Sequence, residues 1–147
     1  MASVPRRILL VEDDASIREM FSCVLRDAGM DVVEAADGLS ALEAMADLPL
    51  DLVITDIAMP RMDGVELTRT LRGRPAMRQV PIIAVTGEQA VFGRARAAGC
   101  TAIVSKPYAP DDLLALVRQF LGRRHEERRN TTSPWTGPDR RAHLRPA

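Results

Sequence analysis

Carboxylate side chains follow two short apolar segments of this sequence in a pattern suited to binding a metal ion. Glu12, Asp13 and Asp14 come directly after apolar residues 8–11, and Asp56 follows a second apolar segment. Clustered carboxylates repel one another, and burying them without a compensating charge is costly. Hard oxygen ligands in a partly open site suit Mg²⁺, which binds a few carboxylates and keeps several waters. If the two segments end side by side, Glu12, Asp13 and Asp56 predict a magnesium site.

A hydroxyl and an ammonium group follow two further apolar segments. Thr86 comes after residues 80–85, and Lys106 comes after residues 102–105. Lysine is a compact point charge and threonine donates one hydrogen bond, so together they suit a phosphoryl group. Lys106 is the only lysine beside 19 arginines, which indicates a role that arginine does not fill.

The elements that must position these residues alternate along the chain. Four of the five strand candidates are almost continuous in Val, Ile and Leu, which is typical of strands covered on both faces in a parallel sheet. Because ligands bind at the carboxyl ends of such strands, the polar residues above should meet at one edge. The predicted strands are residues 7–11, 31–34, 52–55, 80–85 and 102–105.

Amphipathic segments between the strands predict five helices. The first should begin after Asp14 as N-cap and end before Gly29. The fourth is interrupted by Gly93, and the fifth should stop at Gly122. Five strand–helix units in a row predict a doubly wound α/β fold. The predicted helices are residues 15–28, 39–47, a segment from 63–64 onward, 89–98 and 110–122.

Charge and composition exclude several classes of protein. The chain has 147 residues, 46% of them apolar, and a formal net charge of zero. No apolar run approaches the ~20 residues of a membrane span, and the N-terminal apolar segment is too short for a signal peptide. We therefore expect a cytoplasmic protein with no membrane partner, in which Cys23 and Cys100 are reduced thiols.

The last 25 residues differ from the rest of the chain. Residues 1–122 carry 13 basic and 17 acidic side chains, whereas residues 123–147 carry seven basic and three acidic ones. The acidic body argues against a nucleic-acid partner. The segment 123–147 lacks an apolar period, so we expect a disordered basic tail. Two alternatives stay open: its paired arginines could contact nucleic acid or an acidic partner, and its only tryptophan, Trp135, could belong to a docking peptide.

Five motifs make residues 6–122, about four-fifths of the chain, resemble the receiver domain of bacterial two-component response regulators. The resemblance is to the single-domain, CheY-like form, and it assigns residues 1–122 to one receiver domain. The motifs are ILLVEDD at 8–14, DLVITDIAMP at 51–60, MDG at 62–64, VT at 85–86 and SKPY at 105–108.

The resemblance implies a function and a site. Asp56 would accept a phosphoryl group from a sensor histidine kinase or a histidine phosphotransfer protein. Glu12, Asp13 and Asp56, with the backbone carbonyl of Ala58, would hold Mg²⁺, and Thr86 and Lys106 would contact the phosphoryl oxygens. The protein would not be a turnover enzyme on a small substrate.

The resemblance also implies a fold and an output surface. The fold is a flavodoxin-like sheet of five parallel strands in the order 2-1-3-4-5, flanked by five helices. A conformational change would reach a downstream protein through the fourth helix, fifth strand and fifth helix.

Three positions depart from the family pattern. Ile103 stands where an aromatic switch residue is usual, and Gly87 follows Thr86 where a small residue with a Cβ is common. The stretch between Thr86 and Lys106 is short, so the fourth helix should be short or irregular.

Two classes of enzyme or binding protein fit the sequence less well than a phosphorylated receiver. An aspartate-dependent phosphohydrolase would need a second acid at Ala58, and a flavin or dinucleotide binder would not place three acids after the first strand. A receiver that docks proteins without being phosphorylated remains open.

Overall fold

The computed structural model describes residues 4–129, which form a five-stranded parallel sheet. The strand order β2-β1-β3-β4-β5 and the parallel pairing confirm the predicted topology. The fourth strand begins two residues later than predicted, after Pro81, which has no N–H to donate to a neighbouring strand. The strands are β1 (Arg7–Val11), β2 (Asp31–Ala35), β3 (Leu52–Asp56), β4 (Ile82–Thr86) and β5 (Ala102–Ser105).

Five α-helices cover the two faces of the sheet, as predicted. Single 3₁₀ turns precede β4, at Pro75–Met77, and the fourth helix, at Gln89–Val91. The fourth helix is therefore short, with seven residues in α conformation. The helices are α1 (Ala15–Asp27), α2 (Gly38–Met45), α3 (Gly64–Arg72), α4 (Phe92–Ala98) and α5 (Pro110–Arg129).

Aspartates start the first three helices. The carboxylate of Asp14 accepts hydrogen bonds from the Ser16 and Ile17 amides at 2.9 and 3.0 Å, which satisfies two of the otherwise unpaired N–H groups of the first turn. Asp37 and Asp63 cap α2 and α3 in the same way. Gly29 follows α1 with a φ of +89°, a left-handed conformation that glycine adopts without steric penalty.

The continuous apolar strands serve two cores at once. Successive side chains of a strand point to opposite faces of the sheet. Ile8 of β1 therefore packs with Phe21 and Val117 in one cluster, whereas Leu9 packs with Leu67 in another. Because helices bury both faces of the sheet, residues in the middle of β1 are apolar at every position and do not alternate with polar ones.

The predicted end of α5 at Gly122 is wrong, because the helix continues to Arg129. A glycine inside a helix costs only about 1 kcal/mol relative to alanine. The Arg and Glu residues that follow are good helix formers. Residues 123–129 of the predicted tail thus belong to α5. Residues 130–147, which include Trp135, lie outside the described residues.

Within residues 4–129, none of the helices has the length and hydropathy that crossing a bilayer requires.

A strained turn ends α2. Ala46 has φ 40° and ψ −116°, and the Leu48 amide donates to the Met45 carbonyl at 2.7 Å. These values match the first central position of a type II′ turn, where glycine is preferred. The turn explains why α2 ends at Met45, two residues before its predicted end.

Replacing Ala46 with glycine should therefore stabilise the protein. Removing the Cβ relieves a penalty of about 1–2 kcal/mol, partly offset by the greater freedom of glycine in the unfolded chain. We expect Ala46→Gly to raise the free energy of unfolding in urea by about 0.5–1 kcal/mol. Ala44→Gly, on the exposed side of α2, is the control and should lower it by about 1 kcal/mol. Destabilisation by both substitutions would contradict the turn assignment.

Candidate functional site

Three carboxylates meet where β1 and β3 end side by side. The two strands pair in parallel with Val11 opposite Thr55, so the residues after β1 lie beside the last residue of β3. One carboxylate oxygen from each of Glu12, Asp13 and Asp56 lies within 4.8 Å of the other two. Glu12 and Asp56 are buried and Asp13 is exposed, so the cluster opens to solvent on one side.

Lys106 reaches this cluster from the loop after β5. Its Nζ donates a hydrogen bond to Asp56 Oδ2 at 3.0 Å and lies 3.6 Å from Glu12 Oε2. Because β4 lies between β3 and β5, the Lys106 side chain extends past the end of β4 to reach Asp56 and Glu12. The prediction that the single lysine belongs to this edge of the sheet agrees with these contacts.

One ammonium group does not balance three carboxylates. Burial raises the pKa of Glu12 to about 7, although the Asp14 amide bound to its carboxylate opposes the shift. Burial also raises the pKa of Asp56, against the lowering effect of Lys106. Burial lowers the pKa of Lys106, but the hydrogen bonds and charges of Asp56 and Glu12 together outweigh this and the net shift is upward. Both carboxyl groups are therefore shifted toward their protonated forms, mainly because they are buried.

Thr86 ends β4 and joins the loops after β4 and β5. Its hydroxyl accepts a hydrogen bond from the Glu88 amide at 3.1 Å, and its carbonyl accepts one from the Lys106 amide at 2.9 Å. The side chain is buried, with 4% of its surface exposed. A shift of Thr86 would therefore be felt directly in the backbone at Lys106.

Gly64 is the position of the Met-Asp-Gly motif, which follows β3, that requires glycine. A Cβ at this position would overlap the backbone carbonyl of Asp56. The Gly64 amide donates to the Ile57 carbonyl at 2.9 Å. Only glycine lets α3 begin this close to the end of β3. Ala58 lies exposed in the loop between them.

Arg18 supports the acidic cluster, and the sequence did not lead us to expect this. Its Nη1 donates a hydrogen bond to the backbone carbonyl of Glu12 at 2.7 Å. Its Nε lies 3.9 Å from Oε1 of Glu34, which belongs to β2. Arg18 thus fixes the segment that carries Glu12 and Asp13. Its place one turn into α1, four residues after the N-cap Asp14, was the available signal.

Ile103 lies fully buried in β5 beneath α4. It packs in a cluster with Val91, Ala95 and Ala98, and its exposed fraction is 0%. The side chain at this position is therefore a core residue that faces α4. Phe92, the first residue of α4, packs partly buried against the same cluster.

The acidic cluster fits a hard divalent cation. Carboxylate oxygens are the ligands that Mg²⁺ prefers, and three of them converge here with one side open to solvent. The raised pKa values of Glu12 and Asp56 show that positive charge would be favourable. Binding of a cation that prefers the folded protein would stabilise it by mass action.

Residues 8–118 match the response regulator receiver domain. Because the match covers most of the chain, the protein belongs to this family of two-component signalling domains. The sequence is 38% identical over 131 residues to the DNA-binding response regulator MtrA of Mycobacterium tuberculosis, a match that covers 86% of this chain and 55% of MtrA. The chain thus spans about half the length of the curated relatives it matches.

Solved structures show the same fold. Chemotaxis response regulator CheY4 of Vibrio cholerae is 34% identical, with a TM-score of 0.75 over 80% of this chain and 99% of that one. The receiver domain of sensor histidine kinase PA1611 from Pseudomonas aeruginosa is 30% identical, with a TM-score of 0.75 over 81% of this chain and 99% of that one. The PA1611 structure has a magnesium ion coordinated in its active-site cleft.

The raised pKa of Glu12 predicts how stability depends on pH in the metal-free protein. A raised carboxyl pKa adds stability below the unfolded value of 4.5, and this stability is lost as the pH rises through about 7. Wild type should therefore lose stability relative to Glu12→Gln between pH 5 and pH 8, measured by urea unfolding with a chelator present. Glu19→Gln, exposed on α1, is the control, and an equal trend in both variants would contradict the assignment.

Proposed function

We propose that this chain accepts a phosphoryl group on Asp56 in a Mg²⁺-dependent reaction and signals the change to a protein partner. The donor would be the phosphohistidine of a sensor histidine kinase or of a histidine phosphotransfer protein. The observation that carries the proposal is the cluster of Glu12, Asp13 and Asp56, with the Lys106 ammonium group in contact with Glu12 and Asp56. Membership in the receiver family supports the same reaction class.

Asp56 would act as the nucleophile. A carboxylate oxygen attacks phosphorus, an O–P bond forms, and the P–N bond of the phosphohistidine breaks with its electron pair left on the imidazole. Lys106 holds Oδ2 at 3.0 Å, which orients the carboxylate. Because Asp56 is only 6% exposed, a donor could approach it only from the open edge of the sheet.

The residues that would hold Mg²⁺ are Glu12, Asp13, Asp56 and the backbone carbonyl of Ala58. A bound divalent ion would offset the charge of the acids and of the transferring phosphoryl group. Glu12 is preset for this role, because the Asp14 amide holds one of its oxygens at 3.1 Å. Asp13 is exposed and would complete the open side of the site.

Thr86 and Lys106 would couple phosphorylation to the rest of the domain. Both groups would bind the new phosphoryl oxygens, Lys106 as a charge and Thr86 as a hydroxyl donor. Their backbones are joined by one hydrogen bond, so the loops after β4 and β5 would move together. The output would then reach a downstream protein through α4, β5 and α5.

The charge of the described body supports a protein partner for this domain. MtrA, which is about twice as long as this match, is a DNA-binding regulator. We propose that residues 1–122, which carry 13 basic and 17 acidic side chains, do not themselves contact nucleic acid. We also propose a cytoplasmic location and no turnover of small substrates.

Docking without phosphorylation is the second candidate function. Ile103 favours it, because a buried β-branched side chain under α4 does not supply the aromatic switch that the resemblance implies. The experiments below separate the two candidates, since a docking module needs neither phosphate nor Mg²⁺.

Substitutions of the acids test the acceptor and the metal site. Asp56→Asn should take up no phosphate from acetyl phosphate and Mg²⁺, measured by intact mass.

Asp13→Ala should lose the Mg²⁺-induced rise in melting temperature and gain about 1 kcal/mol of metal-free stability from relieved repulsion. Asp112→Asn, exposed in the first turn of α5, should behave as wild type. Phosphate on Asp56→Asn, or an unchanged Mg²⁺ response in Asp13→Ala, would overturn the proposal.

The substitution Lys106→Arg tests the coupling. A planar guanidinium is wider than an ammonium group and prefers a bidentate contact, so phosphate acceptance should persist while the signal to α4 and α5 is lost. The measurement is the change in amide chemical shifts of these helices on adding beryllofluoride. The reverse exchange Arg118→Lys, exposed on α5, should leave those changes intact. If Lys106→Arg shows the same chemical-shift changes as wild type, Lys106 does not transmit the signal from the phosphoryl site to α4 and α5.

A further inference from the structure

A strained turn interrupts the loop between β3 and α3. Arg61 has a φ of +65°, and the Met62 amide donates to the Pro60 carbonyl at 2.8 Å. A hydrogen bond between residues two apart around a positive φ defines a γ-turn of the rare, strained kind. Such strain persists only where the surrounding structure holds the residue in place.

The side chain of Arg61 supplies that restraint. Its Nε and Nη2 donate to the two carboxylate oxygens of Asp37 at 3.0 Å each, and Nη2 also donates to Ser40 Oγ at 2.8 Å. Bidentate arginine–carboxylate pairs combine geometric specificity with strength. The Arg61 side chain is half-exposed, whereas Asp37 is buried.

Asp37 is itself a rigid anchor. Its carboxylate caps α2 by accepting a hydrogen bond from the Ser40 amide at 2.8 Å. Because the same carboxylate also binds Arg61, the start of α2 and the β3–α3 loop share one fixed group. The Arg61 guanidinium, with the Ser40 amide, lowers the pKa of Asp37 to about 2, which agrees with an ionised pair across the neutral pH range.

A second contact joins the same two segments. The Gly38 amide donates to the Met62 carbonyl at 3.1 Å. A Cβ on Gly38 would lie 2.5 Å from Met62 Cγ, so the two backbones approach as closely as a glycine allows. The turn at Arg61 is therefore seated on the start of α2 through both side chain and backbone.

The segment between β3 and this turn carries part of the proposed metal site. It begins at Ile57, directly after Asp56, and Ala58 lies three residues before Arg61. β3 and the hydrogen bonds of Ile57, to the Val85 carbonyl and from the Gly64 amide, fix one end, and the turn supplies the next backbone hydrogen bond along the segment, at the Pro60 carbonyl. Ala58 and Pro60 are exposed, so packing alone does not hold them.

We propose that Arg61 is a positioning residue for phosphoryl acceptance, which by clamping Asp37 fixes the Ala58 carbonyl relative to Glu12, Asp13 and Asp56. This role rests on the proposed function. Arg61 bonds to Asp37 and Ser40 and not to Glu12, Asp13 or Asp56, so its effect on the metal site acts through the loop. A purely structural role would change stability alone, whereas a positioning role also changes the Mg²⁺ concentration that the reaction needs.

The test measures Mg²⁺ binding by calorimetry and the Mg²⁺ concentration that gives half-maximal phosphorylation by acetyl phosphate. Loss of a supporting contact around a metal ligand weakens metal binding by about tenfold or more. We expect Arg61→Ala to raise the Mg²⁺ dissociation constant and the half-maximal Mg²⁺ concentration by about tenfold each. It should also speed amide hydrogen exchange in residues 57–63. Arg61→Lys, which keeps one donor, should fall between Arg61→Ala and wild type.

Two further variants separate positioning from stability. Arg61→Gly removes the clamp but also relieves the turn, so its stability should exceed that of Arg61→Ala while its Mg²⁺ requirement stays raised. Asp37→Asn keeps a capping side chain for α2 but loses the ion pair, and it should match Arg61→Ala without adding to it in the double variant. Arg69→Gln, exposed on α3, is the matched control and should behave as wild type.

The outcomes are distinct. A wild-type Mg²⁺ requirement in Arg61→Ala, or additive effects of Asp37→Asn and Arg61→Ala, overturns the positioning role and leaves the proposed function standing. Failure of wild type itself to bind Mg²⁺ or to accept phosphate overturns the proposed function and this inference together. A Mg²⁺ requirement that rises and falls only with stability across the Arg61 variants also overturns the positioning role.

Discussion

Mutual repulsion of carboxylates at two adjoining strand ends is the constraint on which the rest of this structure depends. One carboxylate oxygen each of Glu12, Asp13 and Asp56 lies within 4.8 Å of the other two, and among the described residues Lys106 is the one ammonium group that contacts Glu12 and Asp56. An arrangement of this kind is destabilising, so the surrounding fold must hold it in place. The free energy for doing so comes from the two apolar cores on either side of the sheet.

The sheet converts local sequence into a shared site. Parallel pairing brings every strand to the same edge at its carboxyl end, so residues separated by 50 positions, such as Asp56 and Lys106, form a hydrogen bond. Thr86 lies between their strands and is bonded through its carbonyl to the Lys106 amide. Any charge added at Asp56 therefore acts on two loops that are already connected.

The loops around the acids are held by arginines. Arg18 binds the carbonyl of Glu12, and Arg61 binds Asp37 beneath the loop that follows Asp56. A bidentate guanidinium suits such work, because its planar donors bind carboxylates and carbonyls with defined geometry. In a chain with 19 arginines and one lysine, Arg18 and Arg61 support the loops around the site, and the lysine contacts Glu12 and Asp56 directly.

The sequence of strands and helices along the chain and the meeting of Glu12, Asp56 and Lys106 could be predicted from the sequence alone, because apolar periodicity and residues at strand ends are local signals. The order of the strands within the sheet came from the family resemblance. Other features depend on contacts between distant segments. The continuation of α5 beyond Gly122 was not predicted, because one glycine weakens a helix without ending it. The clamp from Arg61 to Asp37 spans 24 positions, and no local pattern marks it. Only the packing of α2 against the loop after β3 decides which arginine acts there, since any of the 19 has the same chemistry.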